Sequence, residues 1–361
     1  NCYISPALFH SVIALAANDM VRKQPQHSKY YSSLSTKYKN EAITILHNIL
    51  DNEPHFLSSD SSDLLNEIIV TILMLCSLEI SDKGNKNWLN HLREGGLIFG
   101  SLSYSKILNS GMLLFSYRYF TLRYILLLTT LNHDELQKFL EASPWPIISN
   151  FFDNDKVDYM LGCSPSLLKI IYKITVLNYN RFSMTENEFR QEYAHLEDEL
   201  TNLNQQLNNN DKNSLELKLC AQAYYESTKI YLRYSLFIFS GMELAPSDFE
   251  KLMNTVLSVL NRLISEVKHL SLFPTWTIFI AASCSSNLLN DAVRFSILNN
   301  FEELEKVWPQ ASNSQIRVAI ETIWKTYDLN FDLINHYSSC EAGLIDWRDI
   351  LSITGFKLAL T

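Results

Sequence analysis

The stretch "WLNHLREGGLIFG", Trp88 to Gly100, decides how this chain is read. Its apolar residues recur at helical spacing, yet Gly95 and Gly96 sit side by side within the pattern, in a chain of 361 residues that has only nine glycines. A glycine in a helix interior costs roughly 1 kcal/mol relative to alanine. Either the helix ends at Gly95, or another backbone packs so close that a side chain would not fit.

Composition points the same way. Glycine and proline number nine each, too few for the tight turns of a sandwich or barrel or for glycine-rich phosphate loops. Hydrophobic residues make up 47% of the chain, ample for a buried core. The net charge of −9 is wrong for a surface that neutralises phosphates, so no direct nucleic-acid contact is expected. Six cysteines (Cys2, Cys76, Cys163, Cys220, Cys284 and Cys340) lie far apart, mostly in apolar runs and without a C-x-x-C, which reads as buried thiols in a reducing compartment. The longest apolar run, Ile68 to Leu78, falls short of the about 20 residues that span a bilayer, so no membrane contact is expected. The chain opens without Met or a secretory pattern, and an upstream segment is expected.

Helical patterns follow one another along the chain. "SPALFHSVIALAANDMV" offers Ser5 as cap and Pro6 in the first turn, with Leu8, Val12, Leu15 and Ala16 as its apolar stripe. A second amphipathic helix repeats Tyr38, Ala42, Ile45, Leu46 and Ile49, and the third segment is apolar nearly all round from Ile68, as a central helix is. The loop around Pro144 and Pro146 interrupts the pattern, and "SPSLLKIIYKITVLNYN" restarts it. Phe189, Tyr193, Leu196, Leu200, Leu203 and Leu207 form a short heptad stripe that runs into "NLNQQLNNNDKN". Residues 201–214 are expected to be a flexible Asn-rich insertion within a single domain spanning 1–361. Later segments each fit one helix, with "SDFE" from Ser247 as a capping box, and no fixed-period repeat is found. The expected fold is all-α, a large irregular multi-helix domain.

Catalytic chemistry is mostly absent from the pattern. There is no G-x-x-x-x-G-K, G-x-G-x-x-G, H-E-x-x-H or D-D-x-x-D. S-x-x-K occurs at Ser166–Lys169 and Ser103–Lys106 without the companion motifs of serine enzymes that use it. His91 and Glu94 share a helix face but lack a second ligand pair, so neither a catalytic nor a metal site is assigned. Tyr224, Tyr231 and Tyr234 fall near one helix face, and Phe273, Trp276 and Phe279 on another. Buried phenols want hydrogen-bond partners, so these six are the candidate walls of a ligand pocket, with plain core packing as the alternative. The acidic run Glu197–Glu199 reads as a solvated helix face or a partner surface.

Taken in order, "LFHSVIALAANDMV", "WLNHLREGGLIFG", "DYMLGCSPSLLKIIYKIT", "FPTWTIFIAASCSSNLLNDAVRFSIL", "AIETIWKTYD" and "DWRDILSITGFKLAL" resemble the successive blocks of the fungal-specific transcription-factor domain. The likeness rests on Ala14, Ala16 and Ala17; on Trp88, His91, Leu92, Gly95 and Leu97; on Leu161, Gly162 and Ser164; and on Trp276, Ala281, Arg294, Trp324, Trp347 and Gly355. Gly96 stands where alanine is common in that family. The blocks are most similar to the branch of amino-acid and nitrogen-pathway activators. The resemblance implies a non-enzymatic regulatory domain acting in the nucleus, which responds to a small-molecule effector or a partner such as the transcription machinery, a co-regulator or a second copy. The family's binuclear zinc-cluster motif is missing here, so zinc is expected only in that absent part and no cofactor in this chain. The alternative function is a helical interaction or dimerisation scaffold without a ligand.

Overall fold

A computed structural model describes residues 5–52, 62–82, 86–142, 149–207, 214–240, 246–267, 270–284, 291–307, 311–336 and 346–360. The described residues are helical almost throughout, with no strand among them and one isolated bridge, Lys156 to Gln206. They fall into two compact units, residues 1–124 with 139–146 and residues 125–138 with 147–361.

The first unit begins with α1 (Pro6–Lys23), whose Ser5 side chain accepts from the Leu8 amide as the cap expected from sequence. Its buried face is Ala7, Ser11, Ala14 and Ala17, while Val12 is exposed. The stripe is therefore one position away from the one that hydrophobicity suggests. Small residues win because α2 (Ser28–Asn52) lies close enough for Ser35 Oγ to donate to the Ala14 carbonyl at 2.9 Å. Ile68, Ile69, Ile72, Leu73, Leu75, Cys76 and Leu78 are all buried along α3 (Ser62–Ile80), the central helix of this unit. α4 (Trp88–Ser101) runs unbroken through both glycines, so they do not end it. A Cβ on Gly95 would lie 3.3 Å from the Phe120 ring, so the glycine does meet a close neighbour, but an aromatic side chain and not the backbone expected from sequence. Phe120 belongs to α6 (Gly111–Leu128), reached through the short α5 (Tyr104–Asn109).

The second unit takes the end of α6 and the start of α7 (His133–Ala142), then α8 (Ser149–Phe152) and α9 (Pro165–Asn180). Gly162 has φ +74°, a left-handed turn that glycine adopts without strain, and it delivers Ser164 to cap α9 through the Leu167 amide. Phe189, Leu196 and Leu200 of the heptad stripe are buried in α10 (Glu186–Asn202), started by a Thr185/Glu188 capping box. Of the 201–214 segment, residues 208–213 lie outside the described residues. Its first part is held in place: the Gln205 side chain accepts from the Ser164 amide and donates to the Ala221 carbonyl, and the Gln206 carbonyl accepts from the Val157 amide.

α11 (Ser214–Ser240) packs against α9, α12 (Pro246–Glu266) and α13 (Thr275–Cys284), and every residue of α13 is buried. The side chain of Ser247 and the prolines of the 143–148 loop lie outside the described residues. α14 (Asp291–Val307), α15 (Ala311–His336) and α16 (Trp347–Thr354) complete the unit, and Gly355 at φ +72° ends α16. Here the resemblance residues interlock. Arg294 pairs with Asp328 through two 2.8 Å bonds and lies over the Trp324 ring, whose Nε1 donates to the Ala282 carbonyl.

Candidate functional site

The sequence "DWR" at the start of α16 puts a cation in the first turn, where the helix dipole disfavours it. Asp346 caps the helix through the Arg348 amide, and both side chains are buried. The Arg348 guanidinium donates to both Asp346 oxygens (3.1 and 2.8 Å), to the Thr129 carbonyl (3.0 Å) and to the Tyr231 hydroxyl (3.2 Å). Arg181, at the end of α9, reaches the same carboxylate at 3.4 Å, as does the Tyr234 hydroxyl. Burial pulls the Arg348 pKa down, but Asp346 and the two phenols outweigh it and hold the guanidinium charged. Burial lowers the Arg181 pKa, because the shared carboxylate compensates it less fully. Tyr234 is pushed well above the usual phenol value by burial and then by Asp346.

The six aromatic candidates are all buried in this unit. Tyr224 stacks on Trp276 at 5.7 Å and Tyr231 meets the same ring edge-on at 6.0 Å. Tyr234 and Phe279 both pack on Trp347, and Trp276 Nε1 donates to Thr129 Oγ1. Phe273 lies buried just ahead of α13. Two of the three tyrosines therefore give their hydroxyls to Arg348 and Asp346.

Just beyond that pair lies a small cleft of about 60 Å³, lined among others by His133, Thr175, Asn178, Arg181, Arg348 and Asp349. None of the six aromatic candidates lines it; they stand one layer behind, connected through Arg348 and Asp346. Asn178 is only 3% exposed, and neither its Oδ1 nor its Nδ2 has a hydrogen-bond partner. Buried polar groups are almost always paired; other side chains among the described residues leave one atom without a hydrogen-bond partner, but Asn178 leaves both, at the wall of the cleft. His133, stacked on Tyr179 at 4.7 Å, has an unpartnered Nδ1 as well. Asp349 accepts from Asn132 at 3.3 Å, and burial followed by the neighbouring Asp346 raises its pKa.

Sequence reasoning missed Arg348, Asp346, Arg181 and Asn178. Arg181 and Asp346 are 165 positions apart in sequence, and Asn178 reads there as an ordinary polar residue near a helix end. The unfavourable arginine in "DWR" was the one local signal.

Other features of the sequence find structural work. Ser166 donates to the Phe152 carbonyl and Lys169 pairs with Asp153, while Ser103 caps α5 by accepting from the Lys106 backbone amide, so both serines have structural roles. His91 sits between Glu94 at 3.0 Å and Glu79 at 3.4 Å. Among the described residues no group of three or more His, Cys, Asp or Glu is placed to hold a metal, and no helix is long and apolar enough to cross a membrane. Cys76, Cys163, Cys220 and Cys284 are buried free thiols, and burial pushes Cys76 up to about 12; Cys2 and Cys340 lie outside the described residues. Glu197 and Asp198 are exposed and Glu199 pairs with Lys173, as on a solvated face. A groove of about 590 Å³ along α12, between residues such as Gln222 and Glu250, is polar and open to solvent.

The fold and cleft define an all-α protein with a buried polar centre. The family model described as the fungal specific transcription factor domain matches residues 2–360, and the chain belongs to that family. No curated protein and no solved structure matches it.

Proposed function

We propose that this chain is the effector-response domain of a fungal zinc-cluster transcription activator, working in the nucleus and without catalysis of its own. Both units take part, since one family model runs through them. The likeness of its blocks to amino-acid and nitrogen regulators supports a metabolite of that pathway class as the signal. Zinc belongs to the DNA-binding motif of the intact protein, and the transcription machinery or a co-regulator receives the output.

One observation carries the sensing role: the unpartnered Asn178 carboxamide, buried in a cleft whose Arg348 and Asp346 walls are bonded to Tyr231 and Tyr234. A ligand there touches the residues that tie α16 to α9 and α11. It switches the protein only by binding one arrangement of these helices more tightly than another. The aromatic group Tyr224, Phe273, Trp276 and Phe279 is the packed layer that transmits the change.

The test is an effector screen by thermal shift on the whole chain, followed by Tyr231→Phe and Tyr234→Phe in a reporter strain. Each substitution removes one hydroxyl and keeps the ring. The expected result is a saturable shift with one effector and a blunted transcriptional response in both variants. A full response in both variants defeats the reading. A chain that no pathway metabolite shifts is the scaffold that the alternative describes.

A further inference from the structure

We infer that the cleft beside Asn178 recognises the neutral, planar head of a carboxamide- or ureido-bearing small molecule. This rests on the effector reading above and names the chemistry of its ligand.

The Asn178 side chain presents one acceptor and two donors next to each other in one plane, all without partners at 3% exposure. A group that meets both atoms at once must itself carry a donor and an acceptor side by side, as a primary amide or a urea does. His133, which also lines the cleft, has an unpartnered Nδ1 as a second buried polar atom there.

Charge selects against the isosteric acids and amines. Two guanidinium groups, Arg181 and Arg348, face two carboxyl groups, Asp346 and Asp349, so the lining carries no net charge to offset an ion. Arg348 and Asp346 are committed to each other at 2.8 Å. An incoming carboxylate would confront Asp346 and Asp349, and an incoming ammonium would confront the two arginines. Either ion would also lose its hydration, whereas a neutral amide loses far less.

Size agrees. A cleft of about 60 Å³ takes a head group and not a whole metabolite. The remainder of the ligand extends toward Phe182, which lines the cleft and is 69% exposed. Leu131 and Leu136 supply an apolar wall for the face of a planar group.

The experiment titrates the whole chain with three isosteric pairs, nicotinamide and nicotinate, glutamine and glutamate, citrulline and arginine, by calorimetry and thermal shift. A head of about four heavy atoms supports millimolar binding, so titration reaches about 10 mM. The expected result is binding by at least one amide or ureido member, with its charged partner at least about tenfold weaker. Asn178→Leu should abolish that binding and raise the unfolding midpoint by about 2 °C or more, because it removes an unpaired buried amide. His133→Phe is the second variant, keeping the stack on Tyr179 while removing both ring nitrogens, and it should weaken binding as well.

Charged members binding as well as or better than the neutral ones overturns the ligand class and leaves the effector reading intact. Binding untouched by Asn178→Leu and His133→Phe overturns the site. Silence from all six compounds overturns the inference, and the effector reading then stands or falls on the wider screen and the tyrosine variants.

Discussion

Each unit builds a charged cluster, and the two leave different groups without a hydrogen-bond partner: one carboxylate oxygen of Glu79 in the first, the whole Asn178 carboxamide beside the second. In the first unit Lys39, Glu79, His91 and Glu94 join α2, α3 and α4, and the cations and carboxylates alternate: Lys39 to Glu79 at 3.8 Å, His91 to Glu79 at 3.4 Å, His91 to Glu94 at 3.0 Å. In the second unit Arg181, Asp346 and Arg348 alternate in the same way, but a buried carboxamide beside them has no partner at all. Alternating charge is what a structural cluster needs in order to survive desolvation. An unpaired amide serves no such purpose, which is the ground for proposing a ligand at the second cluster.

The largest effect should come from breaking the second cluster. Arg348→Met leaves the Asp346 carboxylate buried with only the more distant Arg181, and should cost about 3–5 kcal/mol in denaturant unfolding. Pairing it with Asp346→Asn should recover part of that loss, since it is the orphaned charge that costs most. A single variant no less stable than the wild type would mean that the guanidinium is not compensating Asp346.

The first cluster should announce itself through pH. Burial opposes the charge on His91, but its pairing with the Glu79 and then the Glu94 carboxylate prevails and raises its pKa from 6.5 to about 9. A folded pKa above the unfolded one gives stability that is fully present below about pH 6.5 and lost as pH rises through about 9. The loss should be of order 2–3 kcal/mol between those limits, measured by urea unfolding across the range, and Asn, Gln or another residue that does not titrate should abolish it. His91→Gln is the closest in shape. A slope that persists in that variant would assign the effect elsewhere.

The sign reverses at the cleft. Asn178→Leu removes a buried donor and acceptor that have no partners, so stability should rise by about 1–2 kcal/mol while ligand response disappears. A destabilised variant would show that Asn178 is satisfied in solution, and the contrast between the clusters would close.

How much of this could be read in the sequence varies with distance along the chain. Ser5 with Pro6, and Ser164 with Pro165, mark helix starts within three residues of the amides they cap, and local chemistry alone places them. Gly95 told of a close approach without telling that Phe120 is the neighbour. On α1 the apolar pattern chose Val12, but backbone proximity to α2 rewards alanine and serine instead, a tertiary fact that hydrophobicity does not encode. The polar centre is the extreme case. Thr175 on α9 and Arg181 at its end flank Asn178, but Thr129, Tyr231 and Asp346 come from three other places in the chain, and nothing local to Asn178 says that its neighbours will leave it unpaired.

The smallest effect is also the sharpest check on the alternation in the first cluster. Lys39 lies 3.8 Å from Glu79 and keeps about a fifth of its side chain in water, so most of the compensation of Glu79 falls to His91. Lys39→Met should therefore change stability at pH 6 by only about 0.5 kcal/mol. It should, however, move the pH at which His91 gives up its proton upward, because a competing cation has left and the carboxylate is now shared with no one else. Titration of the His91 ring resonances by NMR reads that displacement directly. An unmoved titration would place Lys39 outside the cluster. A large loss of stability would make Lys39, and not His91, the cation that Glu79 depends on.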